Sequence, residues 1–211
     1  MEKLLSEEQL QRLSDTITEV EKATTGELRL IIVGRSSRSS HVFPLLAFLF
    51  STFALIYLWY SRHMFVLEPK SWLVPALLFT SAVLAYALSR VPIVQRRLTW
   101  PADLEHQVLA RAELEFHREG LDATENQTGI LLFLSVLEHQ AVVLADKGIA
   151  QKLDENVWTE VVAQILEGAR HQHLAQNLEA AIRRCGELLQ KHFPAQPGNR
   201  NELPNHVIVK P

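Results

Sequence analysis

FPLLAFLFSTFALIYLWY occupies residues 43–60 and WLVPALLFTSAVLAYALS occupies residues 72–89, and neither stretch holds a charge. As helices, each run of 18 residues reaches about 27 Å, close to the roughly 30 Å hydrocarbon core of a bilayer. Neither run has a polar face, and a chain of 211 residues has too small an interior to enclose both as core helices. The pattern predicts a transmembrane hairpin over residues 39–97, with spans at about 43–60 and 72–92 and a short connecting loop over 61–71. Pro44 and Pro75 fall in the first turn of each run, where a missing N–H is harmless. Tyr57, Trp59, Tyr60 and Trp72 gather at the loop end of both runs as an interfacial aromatic belt. Ser51, Thr52, Thr80 and Ser81 are the hydroxyls inside the spans, with no ionisable group among them. That marks an anchor rather than a transport path.

A hairpin places both flanks on one side of the membrane. Arg35 and Arg38 precede the first run, and Arg90, Arg96 and Arg97 follow the second; the loop has Arg62 and Lys70. The excess of arginine beside the flanks predicts cytoplasmic termini. Glu2, Glu7 and Glu8 stand where a cleaved signal peptide would have a basic start and an apolar stretch. The whole chain has 21 Lys+Arg against 24 Asp+Glu, a net charge of −3. Residues 43–92 take away Arg62, Lys70 and Arg90 but only Glu68, so the soluble remainder is more acidic still. Such a body lacks the basic face of a nucleic-acid binder and suits a cation or a basic partner. The single cysteine, Cys185, leaves no disulfide framework or Cys-rich zinc site.

The flanks predict one soluble domain, residues 1–38 with 98–196, followed by a tail over 197–211. Ser6 and Gln9 have capping-box spacing, Leu5 and Leu10 staple spacing, and Leu10, Leu13, Ile17 and Val20 recur as a helical stripe. Gly26 is the expected helix stop, and Leu28–Val33 (LRLIIV) a buried strand. Beyond the hairpin, Leu104, Val108, Ala112 and Phe116 mark a helix ending near Gly120. Gly129–Leu134 and Ala141–Ala145 form an antiparallel pair across the Glu138–Gln140 link. Asp154 caps a helix carrying Trp158, Val161, Val162 and Ile165. Leu174, Leu178, Ile182, Cys185 and Leu189 line a last helix, with Cys185 a small core residue. Residues 194–205 read as coil, and Val207–Val209 as a short added strand.

This order predicts an α/β fold, an α/β sandwich with a small mixed sheet interrupted by a two-helix transmembrane hairpin. Helix 102–119 is the crossover between parallel strands 28–33 and 129–135. Three loops, Thr24–Glu27, Asp122–Thr128 and Asp146–Gly148, then meet at the sheet edge facing away from the bilayer. They bring Glu27, Asp122, Glu125, Asn126 and Asp146 together, with Asp154 and Glu155 nearby. An oxygen-rich rim of this kind suits a hard divalent cation, although acids also gather at caps and turns for structural reasons.

LSEEQLQRLSDTITEVEKATTGELRLIIV, RAELEFHREGLDATENQTGILLFLSVLEHQAVVLADKGI and GELLQKHFP with NELPN, taken in order, resemble the TPM-domain family, in particular its short bacterial membrane branch. The likeness covers about residues 4–34 and 107–208. It implies the α/β sandwich, a bacterial inner membrane location, and one of several activities described in that family: weak acid phosphatase, calcium or other divalent-cation binder, or accessory factor for a membrane complex. At the matched turns it assigns Glu27 and Asp146 as metal ligands, the cation being calcium or magnesium. This chain departs from the family in splitting the domain with a hairpin and in setting Lys147 and Lys152 among the acids after the third strand.

Nothing in the sequence assembles a phosphoryl-transfer centre. There is no Cys-x5-Arg loop, Asp-x-Asp-x-Thr run, P-loop or HExxH. His171 and His173 sit near a helix end, His106 and His117 on one helix face, and Glu105, Glu113 and Glu115 read as ordinary charged positions on that helix. No catalytic residue is assigned. The sequence is best read as a membrane-anchored, non-catalytic interaction module that binds a divalent cation and a membrane-protein partner, and assists assembly or maintenance of a membrane complex. A weak metal-assisted acid phosphatase is the alternative.

Overall fold

The computed structural model describes residues 5–37, 40–65, 72–170, 173–196 and 201–210. Arg38, Glu68, Lys70 and His171 lie outside them. The chain forms two compact units, one of Met1–Ser36 with Glu105–Pro211 and one of Ser37–Leu104. The tail expected over 197–211 thus belongs to the first unit.

That unit is built on a four-stranded sheet. Its strands are β1 (Glu27–Val33), β2 (Gly129–Ser135), β3 (Gln140–Ala145) and β4 (Ile208–Lys210), in the order β3-β2-β1-β4. β1 and β2 are parallel with Glu27 opposite Gly129 and Val33 opposite Ser135. β2 and β3 are antiparallel, with Ile130 opposite Ala145. β4 joins β1 in parallel, Ile31 opposite Ile208. The mixed sheet is the one the sequence predicts, with β4 as the added edge strand.

Side chains alternate across the sheet with the period of two that strands impose. Leu28, Leu30 and Ile32 meet Leu13 and Ile17 of α1 (Glu7–Glu21) and Leu178, Ile182 and Cys185 further along the chain. Ile31 and Val33 meet Val108, Ala112 and Phe116 on the other face. Each Leu or Ile so buried contributes about 2 kcal/mol of transfer free energy. α1 opens with the full capping box: Gln9 N–H donates to Ser6 Oγ at 3.2 Å, and Ser6 N–H to Gln9 Oε1 at 2.8 Å. It ends at Glu21, before Gly26. Gly26 is not a left-handed stop; the Leu189 side chain packs 3.0 Å from where its Cβ would stand. Gly120, at φ 73°, is the left-handed residue that closes the crossover helix.

In the unit Ser37–Leu104, α2 (Val42–Phe65) and α3 (Leu73–Ser89) pack along each other. Val42 and Leu46 meet Ala85, and Phe43 meets Tyr86 edge-on at 6.2 Å between ring centroids. Val42–His63, 22 residues of mean hydropathy 2.1, is long and apolar enough to cross a bilayer, and only 17% of its apolar window is buried. α3 has 17 residues and reaches that length only with α4 (Pro92–Leu98), from which it is bent by 92°. The second run therefore does not continue as one helix to residue 92. Pro92 has no N–H to extend α3, and it holds Val91 extended at φ −79°, ψ 120°.

The remaining helices are α5 (Pro101–Arg118), α6 (Lys147–Ala150), α7 (Thr159–Arg170) and α8 (Leu174–His192), with 3-10 turns at Leu121–Ala123 and Glu155–Trp158. α1, α7 and α8 cover one face of the sheet and α5 the other. Glu115 corrects one expectation. It is not a solvated position on α5 but fully buried, paired to Arg111 at 2.8 Å and to Lys210. Its position between Ala112 and Phe116 places it on the sheet-facing stripe, where a charge persists only with partners.

Candidate functional site

The three expected loops do meet. Glu27 N–H donates to Thr128 O at 3.1 Å, Asp146 N–H to Gly129 O at 2.9 Å and Gly148 N–H to Gln127 O at 3.0 Å. The Thr128 hydroxyl donates to Thr25 O at 2.8 Å. Backbone pairing fixes this edge, and the acids on it are distributed rather than convergent. Asp122 pairs with His117 at 2.8 Å on the surface. Asp154 caps the 3-10 turn by accepting from Asn156 N–H at 3.1 Å. Asp146 caps α6, its Oδ1 accepting from Lys147 N–H at 2.7 Å, while its Oδ2 is buried with no hydrogen-bond partner among the described residues.

Glu27 and Asp146 stand at the ends of β1 and β3, with β2 between them. Backbones so placed are about 10 Å apart, and Asp146 Oδ1 is engaged in capping α6. Among the described residues no three His, Cys, Asp or Glu side chains group as a metal site.

Glu27 has a different neighbour, Glu21. Both line a cavity of about 310 Å³ together with Thr18, Lys22, Asn201 and Asn205. Glu21 is the last residue of α1, and its Oε1 accepts Leu28 N–H at 2.8 Å. Glu27 opens β1, and its Oε1 accepts Glu202 N–H at 3.2 Å. The second oxygen of each carboxylate is buried without a hydrogen-bond partner among the described residues. Glu21 is 8% exposed and Glu27 2%, so neither oxygen is satisfied by bulk water. Arg29, two residues along β1, is equally buried, with Nε and Nη1 lacking a hydrogen-bond partner among the described residues.

Burial dominates the electrostatics. It pushes Glu21 up to about 8, against the Leu28 N–H that favours the ionised form, and the Glu27 charge adds to the rise. Glu27 is also raised by burial, opposed by the N–H groups of Glu202 and Leu203. Burial lowers Arg29, opposed by Glu119, Glu21 and Glu27. The cavity is thus lined by two carboxylates whose proton affinity burial raises, with Lys22 also on its wall.

The residues after the last helix form the cavity wall. Asn201 donates to Asn205 Oδ1 at 2.8 Å, and Asn205 to Thr18 Oγ1 at 3.0 Å. The Glu202 carboxylate accepts Glu125 N–H at 3.0 Å. Lys210 then ties β4 to Glu115 of α5 and to Glu119 just past its end.

Sequence reasoning found Glu27 but missed Glu21, Arg29 and the Glu202–Asn205 wall. Cys185 is the core residue expected; burial pushes its thiol up to about 12, far from reactive.

No family model matches the chain, and no curated protein does. Among solved structures it is similar to the NMR structure of BA42 protein from the psychrophilic bacterium Bizionia argentinensis. The TM-score is 0.61 at 20% identity, over 99% of this chain and 97% of that one. At that identity the likeness is one of fold.

Proposed function

We propose that this protein is a membrane-anchored, non-catalytic binding module of the bacterial inner membrane. α2 and α3 span the bilayer as a hairpin, both termini are cytoplasmic, and the sheet unit takes up a divalent cation, calcium or magnesium, in the Glu21–Glu27 cavity. In that form it docks a membrane-protein partner and assists assembly or maintenance of a membrane complex. The observation that carries the reading is the uncovered apolar surface of the two helices. Phe48 is 70% exposed, Phe53 67% and Phe79 71%, far more apolar surface than a body in water leaves bare. The arginines on the terminal flanks support the cytoplasmic orientation.

The anchor is tested by cysteines placed at Ser6 and Gln196. An impermeant maleimide applied to spheroplasts should label neither until the membrane is opened; labelling of one alone ends the hairpin reading. The cation is tested by calorimetric titration of the full chain in detergent with calcium and with magnesium. Heat is expected for the wild type and for Asp146→Asn, and none for Glu27→Gln. A wild type that gives no heat removes the cation from the reading.

A further inference from the structure

We propose that α4 is a lipid-contacting helix, lying along an anionic bilayer surface and fixing the end of the anchor there. This rests on the reading of α2 and α3 as membrane spans. α4 leaves α3 at 92°, so a helix that follows a span is turned into the plane of the headgroups. The elbow is built rather than frayed. Gln95 Nε2 donates to Ser89 O, the end of α3, at 2.6 Å, and Thr99 Oγ1 donates to Gln95 O at 2.9 Å.

One side of α4 holds it to the hairpin, through Val94 and Leu98 packed on the Val42, Leu46 and Ala85 cluster. The other side carries Ile93, Arg96 and Arg97 at i, i+3 and i+4, one helical face. Ile93 is 68% exposed, both arginines are exposed, and Trp100, just past the helix, is 77% exposed. An apolar residue and an indole beside two guanidinium groups form an interfacial pattern: the apolar groups enter the headgroup boundary and the cations meet phosphate. Charge decides the occupant. Between Val42 and Trp100 the only acid in the sequence is Glu68, so this stretch is complementary to anionic phospholipid.

The test uses the full chain in vesicles, with a spin label on Ile93→Cys or on Val83→Cys in the middle of α3; the buried Cys185 stays in place. Phosphatidylcholine vesicles with and without phosphatidylglycerol are probed with a neutral nickel chelate in water and with oxygen, which concentrates in lipid. With phosphatidylglycerol present, the label at 93 is expected to be shielded from nickel. That shielding should be lost in the Arg96→Gln/Arg97→Gln variant. A label at 93 open to nickel in all vesicles, or shielded equally with and without the arginines, overturns the proposal while the label at 83 remains in hydrocarbon. A label at 83 that is itself open to water overturns the anchor, and this proposal with it.

Discussion

Glu21 sits where the helical stripe of Leu13 and Ile17 would place another apolar residue, and its carboxyl is held up to about 8 by burial. The unfolded chain releases that proton near 4.5. Below that value both states are protonated and the group is neutral to stability. As pH rises toward about 8, the unfolded state gains its ionisation first, and the fold loses up to about 1.4 kcal/mol per pH unit. Glu21→Gln keeps an acceptor for Leu28 N–H and removes the proton. Thermal denaturation should find it more stable than wild type near pH 8, with a shallower decline toward that pH, the remainder coming from Glu27. Arg29 is the opposite charge in the same interior. Arg29→Met should cost about 3 kcal/mol or more in denaturant unfolding, because it removes the buried cation that Glu119, Glu21 and Glu27 face. Both residues were legible as anomalies, a charge on an apolar stripe and a charge inside LRLIIV. What the sequence did not disclose was their shared interior, because residues separate along the chain meet only once α1 has docked on β1.

At the scale of elements, local chemistry was the more readable part. The Ser6 cap, the Gly120 stop and the β2–β3 pair follow from short-range spacing, and the structure has each of them. Gly148 is held by a distant loop instead: a Cβ there would stand 2.6 Å from Gln127 O and 2.7 Å from Asn126 O. Backbone oxygens do not give way as a flexible side chain does, so Gly148→Ala should lower stability by about 2 kcal/mol, measured by chemical denaturation. The elements that escaped sequence reading are those fixed by distant partners. Gly26 looked like a helix end because a glycine after Thr24 and Thr25 has that signature, whereas its actual role is to admit Leu189 of α8. The Pro/Gly/Asn-rich stretch 194–205 is coil over 201–205 as expected, but its spacing does not disclose that Glu202 and Asn205 tie it to Glu27 and Thr18. Glu27 and Asp146, assigned together by the resemblance at their turns, stand on strands with β2 between them.

At the scale of the molecule, the uncovered α2 and α3 have a direct readout. Membranes washed at alkaline pH should retain the protein in the pellet, and a chain found in the supernatant would show that the apolar helices are covered by something other than lipid. Strand order also bears on biogenesis. β1 has β2 on one side and β4 on the other, and both are translated after α2 and α3. A ribosome therefore delivers the greasy helices while the first strand still has bare edges. The nascent segment ahead of α2 must therefore be kept from pairing with strangers until the rest of its sheet arrives.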